Sequence, residues 1–308
     1  MCTRNSLFCF AAWLVVLSLV MAGCAPSQPV ATEAPAKKIV IGLSLSTLDN
    51  PFFVSVRDGA QEAADRLDAE LIVADAGNDS AAQQTQIEDF IAQKVDILLV
   101  NPVDSDAVGA AIQAANDAGV PVITLDRSAN AGQVASHIAS DNVAGGRMAA
   151  NYLAEVLGKT GQVVELQGLA GTSAAQDRGA GFNEAIAAYD GIQVIAQAPA
   201  DFDRAQGKEA FAALLKQYED IDGVFAHNDQ MILGAQEAAA EAGRADILFV
   251  GFDAIDEAVQ AVEAGQITAT VAQQPQEIGR LGVETAVKLL KGESVPAFIP
   301  VELALVHN

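Results

Sequence analysis

Strand-like apolar runs alternate with stretches of helical periodicity along most of the chain, and this alternation constrains the fold more than any other feature. The first run, Lys38–Leu45, is continuous and apolar, as in a strand buried on both faces. Further strands are predicted at Leu71–Ala74, Ile97–Val100, Val122–Leu125, Gln162–Leu166, Gln193–Gln197, Gly223–Ala226, Ile247–Gly251 and Thr268–Ala272. Helices are predicted between them, at Pro51–Leu67, Ala81–Gln93, Asp106–Ala118, Val143–Leu157, Ala174–Ala188, Ala205–Tyr218 and Met231–Ala242.

This order predicts an α/β protein built from doubly wound, Rossmann-like parallel sheets with helices on both faces. The pattern restarts after Ser140, so we expect two such sheets. The length of 308 residues agrees with two domains at about 150 residues each. With 51% apolar residues the chain can bury sizeable cores, which excludes bulk disorder.

The charge balance argues against two classes of partner. Lys and Arg number 17 against 40 Asp and Glu, whereas nucleic acids and anionic lipid surfaces attract basic patches. Catalytic and metal sites are not indicated either, because the histidines, His137, His227 and His307, are far apart and no nucleophile motif occurs. We therefore expect a protein that is not an enzyme and that uses no cofactor or metal.

The N-terminal residues carry the marks of export. Arg4 precedes the apolar run Leu7–Met21, a pattern typical of a secretory signal peptide. The run ends in V-M-A-G-C at residues 20–24, which resembles the lipobox of bacterial lipoproteins. We expect residues 1–23 to be removed and residues 24–37 to form a lipidated Cys24 with a flexible, proline-rich tether. The alternatives are an ordinary secretory signal peptide that is cleaved at another position and an N-terminal anchor that is not cleaved.

Polar side chains follow the predicted strands at their carboxyl ends, where open parallel sheets bind ligands. The charged and amide residues at these ends are Asp126, Arg127, Asn228, Asp253 and Gln273, while Arg178 lies near the front of a helix. Phe52 and Phe53 follow the first strand. Carboxylates accept and guanidinium groups donate hydrogen bonds to hydroxyls, and aromatic faces suit the C–H faces of a sugar ring. Together these residue types indicate a carbohydrate pocket.

Each of these residues also has a structural interpretation. An Asp after a strand often caps the next helix, and Phe53 has the spacing of a core residue. Arg127 is able to pair with one of the many surface carboxylates. The residues alone leave these alternatives open.

Several motifs resemble the periplasmic sugar-binding proteins of ABC transporters, of the type I ribose/galactose class and nearest to its D-ribose-binding members. The resemblance spans about Ile39 to Val306. The motifs are S-T-L-D-N-P-F-F (46–53), L-L-V-N-P-V-D-S-D-A-V (98–108), V-I-T-L-D-R (122–127), S-H-I-A-S-D-N-V (136–143), E-L-Q-G-L-A-G-T-S-A-A-Q-D-R-G (165–179), P-A-D-F-D-R (199–204), F-A-H-N-D (225–229), V-G-F-D (250–253) and T-V-A-Q-Q-P (270–275).

The resemblance implies two lobes joined by a three-strand hinge, with residues 38–140 and 274–302 in the first lobe and 141–273 and 303–308 in the second. It implies aromatic stacking on the ring by Phe52 and Phe53. It also implies polar contacts to the sugar from Asn50, Asp126, Arg127, Arg178, Asn228, Asp253 and Gln273, and a further contact to the sugar from Phe202. At position 227 this chain has His where the family commonly has Gln. This His is either a spacer at the strand end or a residue that makes sugar binding depend on pH.

The function implied is capture of a monosaccharide, D-ribose above others, by hinge closure and its delivery to an ABC permease. The protein is expected to act as a monomer outside the cytoplasm, in the periplasm or at the cell surface, attached to the membrane by its lipid only. The alternatives are another sugar, such as allose, xylose or another pentose, or a furanose quorum signal.

Overall fold

The structure is a computed structural model that describes residues 37–308. Its strands are β1 (Val40–Leu45), β2 (Glu70–Asp75), β3 (Ile97–Val100), β4 (Val122–Leu125), β5 (Ser136–Ser140), β6 (Thr160–Gln167), β7 (Gly191–Pro199), β8 (Gly223–Ala226), β9 (Leu248–Asp253), β10 (Ala269–Ala272), β11 (Phe298–Val301) and β12 (Ala304–His307). Its helices are α1 (Pro51–Arg66), α2 (Ser80–Ala92), α3 (Gly109–Asp117), α4 (Asn142–Val156), α5 (Ser173–Ile186), α6 (Arg204–Gln217), α7 (Asp229–Glu241), α8 (Asp256–Glu263) and α9 (Pro275–Leu290). The expected signal peptide, the lipidation site Cys24 and the tether up to residue 36 lie outside the described residues.

The described strands form two six-stranded sheets. The first has the order β11-β5-β4-β3-β1-β2, and all its neighbouring strands are parallel. The second has the order β12-β10-β9-β8-β6-β7 and is parallel except for the edge strand β12. We call each sheet with its helices the first lobe and the second lobe. The predicted α/β class with two doubly wound sheets is confirmed.

Helices bury both faces of each sheet, which explains why the strands read as continuous apolar runs. In the first lobe, α1 and α9 pack on one face and α2 and α3 on the other. In the second lobe, α6, α7 and α8 cover one face and α4 and α5 the other. All four residues of β3 and of β8 are buried as a result.

Side-chain caps fix where several helices begin. The side chains of Asn50, Asp141, Thr172, Asp203 and Asn228 each accept a hydrogen bond from a backbone N–H in the first turn of the helix that follows. Such caps satisfy amide groups that have no partner within the helix. Two of the capping residues, Asn50 and Asn228, are also predicted sugar contacts. Their side chains therefore lie where a strand-end loop leads into a helix.

The chain passes three times between the two sheets. It leaves the first sheet after β5, returns after β10, and crosses again between β11 and β12. Each lobe is therefore built from separate stretches of the sequence. The exact residues at which one lobe ends and the other begins, predicted at 140/141, 273/274 and 302/303, stay a prediction.

Some elements differ from the sequence prediction. The helix expected from Asp106 begins at Gly109, because Asp104 Oδ1 accepts hydrogen bonds from the backbone N–H groups of Asp106 and Ala107 and holds a preceding turn. The strands β5, β11 and β12 and the helices α8 and α9 were not predicted from the sequence. Among residues 37–308, none of the helices combines the length and the apolar character that a membrane crossing requires.

Candidate functional site

A small cavity lies between the lobes at the carboxyl ends of the strands. This is the edge of an open α/β sheet at which ligands bind. It is lined by Asn50, Phe52, Phe53, Asp126, Arg127, Ala174, Arg178, Phe202, Asn228 and Asp253. All of these except Ala174 were predicted as sugar contacts. The structure thus brings together residues that lie up to about two hundred positions apart in the chain.

Asp126 presents an unsatisfied carboxylate oxygen to this region from the end of β4. Its side chain is 3% exposed, and Oδ1 is buried without a hydrogen-bond partner. The other oxygen, Oδ2, lies 3.4 Å from the Asn101 Nδ2 donor. No helix follows Asp126, since β5 is the next element, so the helix-cap alternative is wrong. The backbone at Asp126 has a φ of 61°, in the left-handed region that Asp tolerates better than most residues.

Arg127 is held between aromatic rings of both lobes. Its guanidinium carbon lies 5.2 Å from the ring centroid of Phe53 and 5.4 Å from that of Phe202. One terminal nitrogen donates to the carbonyl of Pro102 at 3.1 Å. The buried Nε lies 3.8 Å from Asp126 Oδ2 in an ion pair and has no hydrogen-bond partner among residues 37–308. Burial lowers the pKa of Arg127 to about 10, so the group remains charged at neutral pH. The alternative of a surface ion pair for Arg127 is wrong, because the side chain is buried.

Phe52 and Phe53 are both buried and meet edge to face at 5.2 Å between ring centroids. They pack into the core of the first lobe and line the cavity at the same time. The two interpretations of Phe53, as core residue and as ligand contact, are therefore compatible. Asn50 holds the start of their helix, since its Oδ1 accepts from the backbone N–H of Phe52 at 2.9 Å.

Arg178 is the corresponding guanidinium of the second lobe. Its Nε donates to Asn142 Oδ1 at 2.8 Å, and Nη1 donates to the backbone carbonyl of His227 at 2.7 Å. The guanidinium carbon lies 3.9 Å from the ring centroid of Phe252, a geometry that favours a cation–π interaction. These contacts hold the planar group in the wall of the cavity without any ligand.

Phe202 and Asn228 complete the second-lobe wall. Phe202 has a φ of 62°, and its ring packs so closely on Gly168 that a Cβ there would lie 2.1 Å from it. Asn228 Nδ2 donates to the carbonyl of Phe202 at 3.2 Å, while Asn228 Oδ1 accepts from the Met231 N–H at 3.0 Å. The loop that carries Phe202 is thereby tied to the start of α7.

Asp253 ends β9 and shares its Oδ1 with two donors. Gln273 Nε2 donates to it at 2.8 Å, and Arg178 Nη1 lies 3.4 Å away. Burial raises the pKa of Asp253 to about 7, and the nearby charge of Asp126 acts in the same direction. Arg178, the Gln273 hydrogen bond and Arg127 oppose this rise.

Gln273 lies outside the lining of this cavity and behind Asp253. It lines a neighbouring cleft between the lobes, and its Oε1 is buried without a partner. Its role as a direct sugar contact stays a prediction, whereas its hydrogen bond to Asp253 is a feature of the structure.

The unpartnered atoms indicate what the cavity can bind. Asp126 Oδ1 needs a donor and Arg127 Nε needs an acceptor, and buried polar groups are nearly always paired. A hydroxyl group both donates and accepts, so a small polyol satisfies both kinds of atom. Within residues 37–308 no cluster of His, Cys, Asp or Glu is arranged to hold a metal ion.

Two supporting residues were missed by the sequence analysis. Asn101 directly follows β3, and its side chain accepts from the Ser46 N–H and donates to the Leu125 carbonyl, which joins three strand ends. The strand-end rule that selected Asp126 applies equally to Asn101. Asn142 starts α4 and holds Arg178 Nε, and no local sequence signal marks this long-range contact.

The side chain of His227 is turned toward the second-lobe interior. Its Nδ1 accepts from the Gly168 N–H at 3.1 Å, which assigns the proton to Nε2, 2.7 Å from Glu165 Oε1. Burial lowers the pKa of His227. His227 is therefore a neutral structural partner of Glu165 at neutral pH, and it does not line the cavity.

Comparison with known proteins identifies close relatives. A family model described as a periplasmic binding protein domain matches residues 41–294. The ribose import binding protein of Escherichia coli strain K12 is 50% identical over 290 residues, covering 94% of this chain and 97% of that protein. The ribose import binding protein of Bacillus subtilis strain 168 is 44% identical over 297 residues, covering 95% and 96%.

Solved structures with the same fold contain several different ligands. An ABC transporter solute-binding protein from Bacillus halodurans C-125 with bound myo-inositol has a TM-score of 0.83 at 34% identity, covering 89% of this chain and 96% of that one. One from Actinobacillus succinogenes 130z with bound D-allose has a TM-score of 0.83 at 33% identity, covering 88% and 98%. One from Agrobacterium radiobacter in complex with D-arabinose has a TM-score of 0.84 at 28% identity, covering 89% and 95%.

Proposed function

We propose that this chain, which belongs to the periplasmic binding protein family and is a sugar-binding protein of ABC importers, has D-ribose as its ligand. The resemblance noted in the sequence is thus confirmed at the level of the family. The chain is not an enzyme, because its relatives are substrate-binding proteins of transporters. The choice of ribose is supported by the relatives that are 44–50% identical over nearly their full length.

The observation that carries the proposal is that Asp126 and Arg127, which line one small cavity, each bury a polar atom without a hydrogen bond among residues 37–308. The cavity is small and is lined by side chains of both lobes, which favours a single sugar ring over a larger ligand. Buried charged groups contribute about 1.5–3 kcal/mol per hydrogen bond, enough for tight binding of a neutral polyol. Another sugar is the second candidate, since structural neighbours at 28–34% identity carry allose, arabinose or inositol.

Calorimetric titration of the full chain tests the choice of ligand. D-Ribose, allose, xylose, D-arabinose and myo-inositol are compared under one condition. We expect D-ribose to bind at least about tenfold more tightly than the others, a difference of about 1.4 kcal/mol. Absence of heat with D-ribose, together with tight binding of another sugar, would overturn the assignment to ribose and leave the sugar-binding function intact.

We also propose that binding closes the lobes by bending at the three crossings. Contacts that need no ligand already join the lobes beside the cavity. Ser105 N–H donates to the Gly171 carbonyl at 3.0 Å, Ser173 N–H donates to Ser105 Oγ at 3.1 Å, and Ser128 N–H donates to Ser173 Oγ at 2.9 Å. These bonds stabilise the closed form whichever sugar is bound. A ligand stabilises it further when the ligand makes more contacts with the closed form than with the open form.

The double variant Ser105→Ala/Ser173→Ala should weaken every sugar by the same factor. Two hydrogen bonds at about 0.5–1.5 kcal/mol each predict a Kd increase of roughly five- to a hundredfold, with unchanged ratios between sugars. Ser55→Ala is the control, because the only hydrogen bond of the Ser55 side chain among residues 37–308 is to the Pro51 carbonyl within the same helix. A change in the ratio between two sugars, or an unchanged Kd, would argue against closure through these contacts.

Sugar affinity should depend on pH through Asp253. Sugar hydroxyls that donate to Asp253 favour its ionised form, so its pKa of about 7 should fall in the complex. Affinity is then constant above about pH 8 and weakens as the pH falls below 7, because binding must release the proton first. Titrations between pH 5.5 and 8.5 measure this, and Asp253→Asn should remove the pH dependence. An affinity that improves toward acid pH would contradict the assignment.

Lipid attachment at Cys24 and presentation of the sugar to a membrane permease complete the proposal. The supporting observation is the sequence V-M-A-G-C at residues 20–24 and the proline-rich residues after it. We expect the protein to act as a monomer outside the cytoplasm. Cys24→Ser should release the protein from the membrane fraction and abolish incorporation of labelled palmitate, while leaving sugar affinity unchanged. Retention of label in the variant would refute lipidation at this residue.

A further inference from the structure

Asp253 stands in a turn that few side chains adopt unaided. It has a φ of 115° and the following Ala254 has a φ of 55°, so two consecutive residues with side chains lie in the left-handed region. Such backbone conformations cost energy and persist only where surrounding groups enforce them. The turn aims the Asp253 carboxylate at Arg178 and the cavity. Something outside the turn must hold it in place.

We propose that Asp229 is a positioning residue for sugar binding, whose buried carboxylate holds the turn from Asp253 to Ile255 in its binding conformation. This inference rests on the proposed function, since it deepens the account of the same site. Asp229 is the first residue of α7 and is fully buried. It does not line the cavity, so it acts through Asp253 and does not contact the sugar.

Both oxygens of Asp229 are used to hold the turn. Oδ2 accepts from the Ile255 N–H at 2.9 Å, and Oδ1 accepts from the Thr270 hydroxyl at 2.7 Å. Thr270 Oγ1 in turn accepts from the Ala254 N–H at 3.2 Å. The two amides after Asp253 are therefore tied to one carboxylate, one directly and one through a hydroxyl.

The space around Asp229 leaves no room for the carboxylate to move toward β9. A Cβ on Gly251 would lie 2.3 Å from Asp229 Oδ1, so the glycine at this position permits the close approach. The neighbouring β10 supplies Thr270, which pairs through the sheet with Gly251. The carboxylate is thus enclosed by α7, β9 and β10.

An ordinary structural role does not account for an acidic side chain at this place. Among residues 37–308, no ion pair to Asp229 is found, and the charged group that acts on its carboxyl is the like-charged Asp253. Burial and Asp253 together raise the pKa of Asp229 well above its usual range. A buried carboxylate kept beside a second carboxylate is a feature found more often at functional sites than in plain cores.

Asparagine cannot replace this carboxylate. The site presents two donors to Asp229, one hydroxyl and one amide N–H, and both need an acceptor oxygen. Asparagine has one acceptor oxygen and an NH₂ group. Either the NH₂ group faces the Thr270 hydroxyl hydrogen, or the hydroxyl turns to accept from the NH₂ group and its own hydrogen loses its acceptor. One buried donor is left unpaired in both cases. Asp229→Asn therefore keeps the shape of the side chain and disrupts the turn.

A double-mutant cycle with Asp253 tests the proposal by calorimetry on the full chain with D-ribose. Asp229→Asn is expected to raise Kd by about 10- to 100-fold in the wild-type background and by less than about threefold in an Asp253→Asn background. The melting temperature should fall by a similar amount in both backgrounds. A loss of affinity by the same factor in both backgrounds, or an unchanged Kd, would overturn the proposal.

Two further sets of variants separate positioning from general stability. Glu165→Gln neutralises an equally buried carboxylate of the same lobe that is bound to His227 and Asn183, and it should lower the melting temperature with Kd unchanged. Thr270→Ser, which keeps the hydroxyl, should bind at least ten times more tightly than Thr270→Val. Equal affinity of the two Thr270 variants would contradict the proposed relay.

The test of Asp229 does not depend on which sugar the protein binds. If the wild type fails with D-ribose and binds another sugar of the panel, the assignment to ribose fails and that sugar serves as the probe for the same cycle. A crystal structure of Asp229→Asn without sugar gives a readout that needs no ligand. Departure of Asp253 from its φ of 115° is expected, and an unchanged turn would refute the positioning role.

Discussion

Asp126→Asn is expected to abolish sugar binding while the free protein still folds. Asp126 Oδ1 is buried and unpartnered, so ligand hydroxyls are its expected donors. Two charge-assisted hydrogen bonds at about 1.5–3 kcal/mol each predict a Kd increase of roughly 100- to 10,000-fold. The amide fits the same space but removes the carboxylate that lies 3.8 Å from Arg127 Nε, so the melting temperature without sugar should fall by about 2–12 °C, equivalent to about 1–3 kcal/mol. Calorimetry measures the first effect and thermal melting the second.

A matched control separates this contact from a change in net charge. Asp49 is exposed and lies in a cleft that adjoins the sugar cavity, so Asp49→Asn removes the same charge near the same place. We expect this variant to keep the wild-type Kd within about twofold, since exposed charges are screened. Wild-type affinity in Asp126→Asn would exclude the proposed contact, and a collapse of its melting temperature would show that Asp126 serves stability instead.

Arg178→Lys is expected to weaken sugar binding by about 100-fold although the positive charge is kept. Lysine cannot reproduce the planar fork that donates to Asn142 and to the His227 carbonyl, nor the stacking on Phe252. The loss of about two charge-assisted hydrogen bonds, partly replaced by the ammonium, gives about 3 kcal/mol. Calorimetry with D-ribose measures the change.

Arg147→Lys provides the comparison for Arg178. Arg147 belongs to the same lobe, is largely exposed and pairs with Glu184 at 2.6 Å. Exposed ion pairs contribute little, so this variant should bind sugar as the wild type does. A Kd for Arg178→Lys within threefold of wild type would show that the fork geometry is not needed and would contradict the site as described.

The architecture was predictable because most strands of both sheets are buried on two faces. Apolar runs such as Ile97–Val100 and Gly223–Ala226 therefore identify strands directly. The strand β5, Ser136–Ser140, was missed because serines and a histidine interrupt its apolar character. The edge strand β11, Phe298–Val301, contains a proline and is partly exposed, so its sequence does not resemble a buried strand.

The sequence predicted which residues form the site but did not predict their backbone conformation. The strand-end rule selects Asp126, Asn228 and Asp253, because topology alone places those positions at one edge. The left-handed backbone at Asp126, Phe202 and Asp253 depends on tertiary contacts that no local pattern records. Residues that act through others were missed for the same reason. They carry ordinary structural signals, such as a strand end or a helix start, and only their long-range partners reveal a role.

A crystal structure of the protein with D-ribose tests the central claim most directly. The proposal predicts one sugar ring in the cavity between the lobes, with Asp126 Oδ1 and Arg127 Nε within hydrogen-bond distance of ring hydroxyls and Phe52 and Phe53 against its face. Both atoms, which are buried without a hydrogen bond in the structure described above, would then have a hydrogen-bond partner. An empty cavity at saturating D-ribose, or a sugar bound elsewhere, would contradict the account.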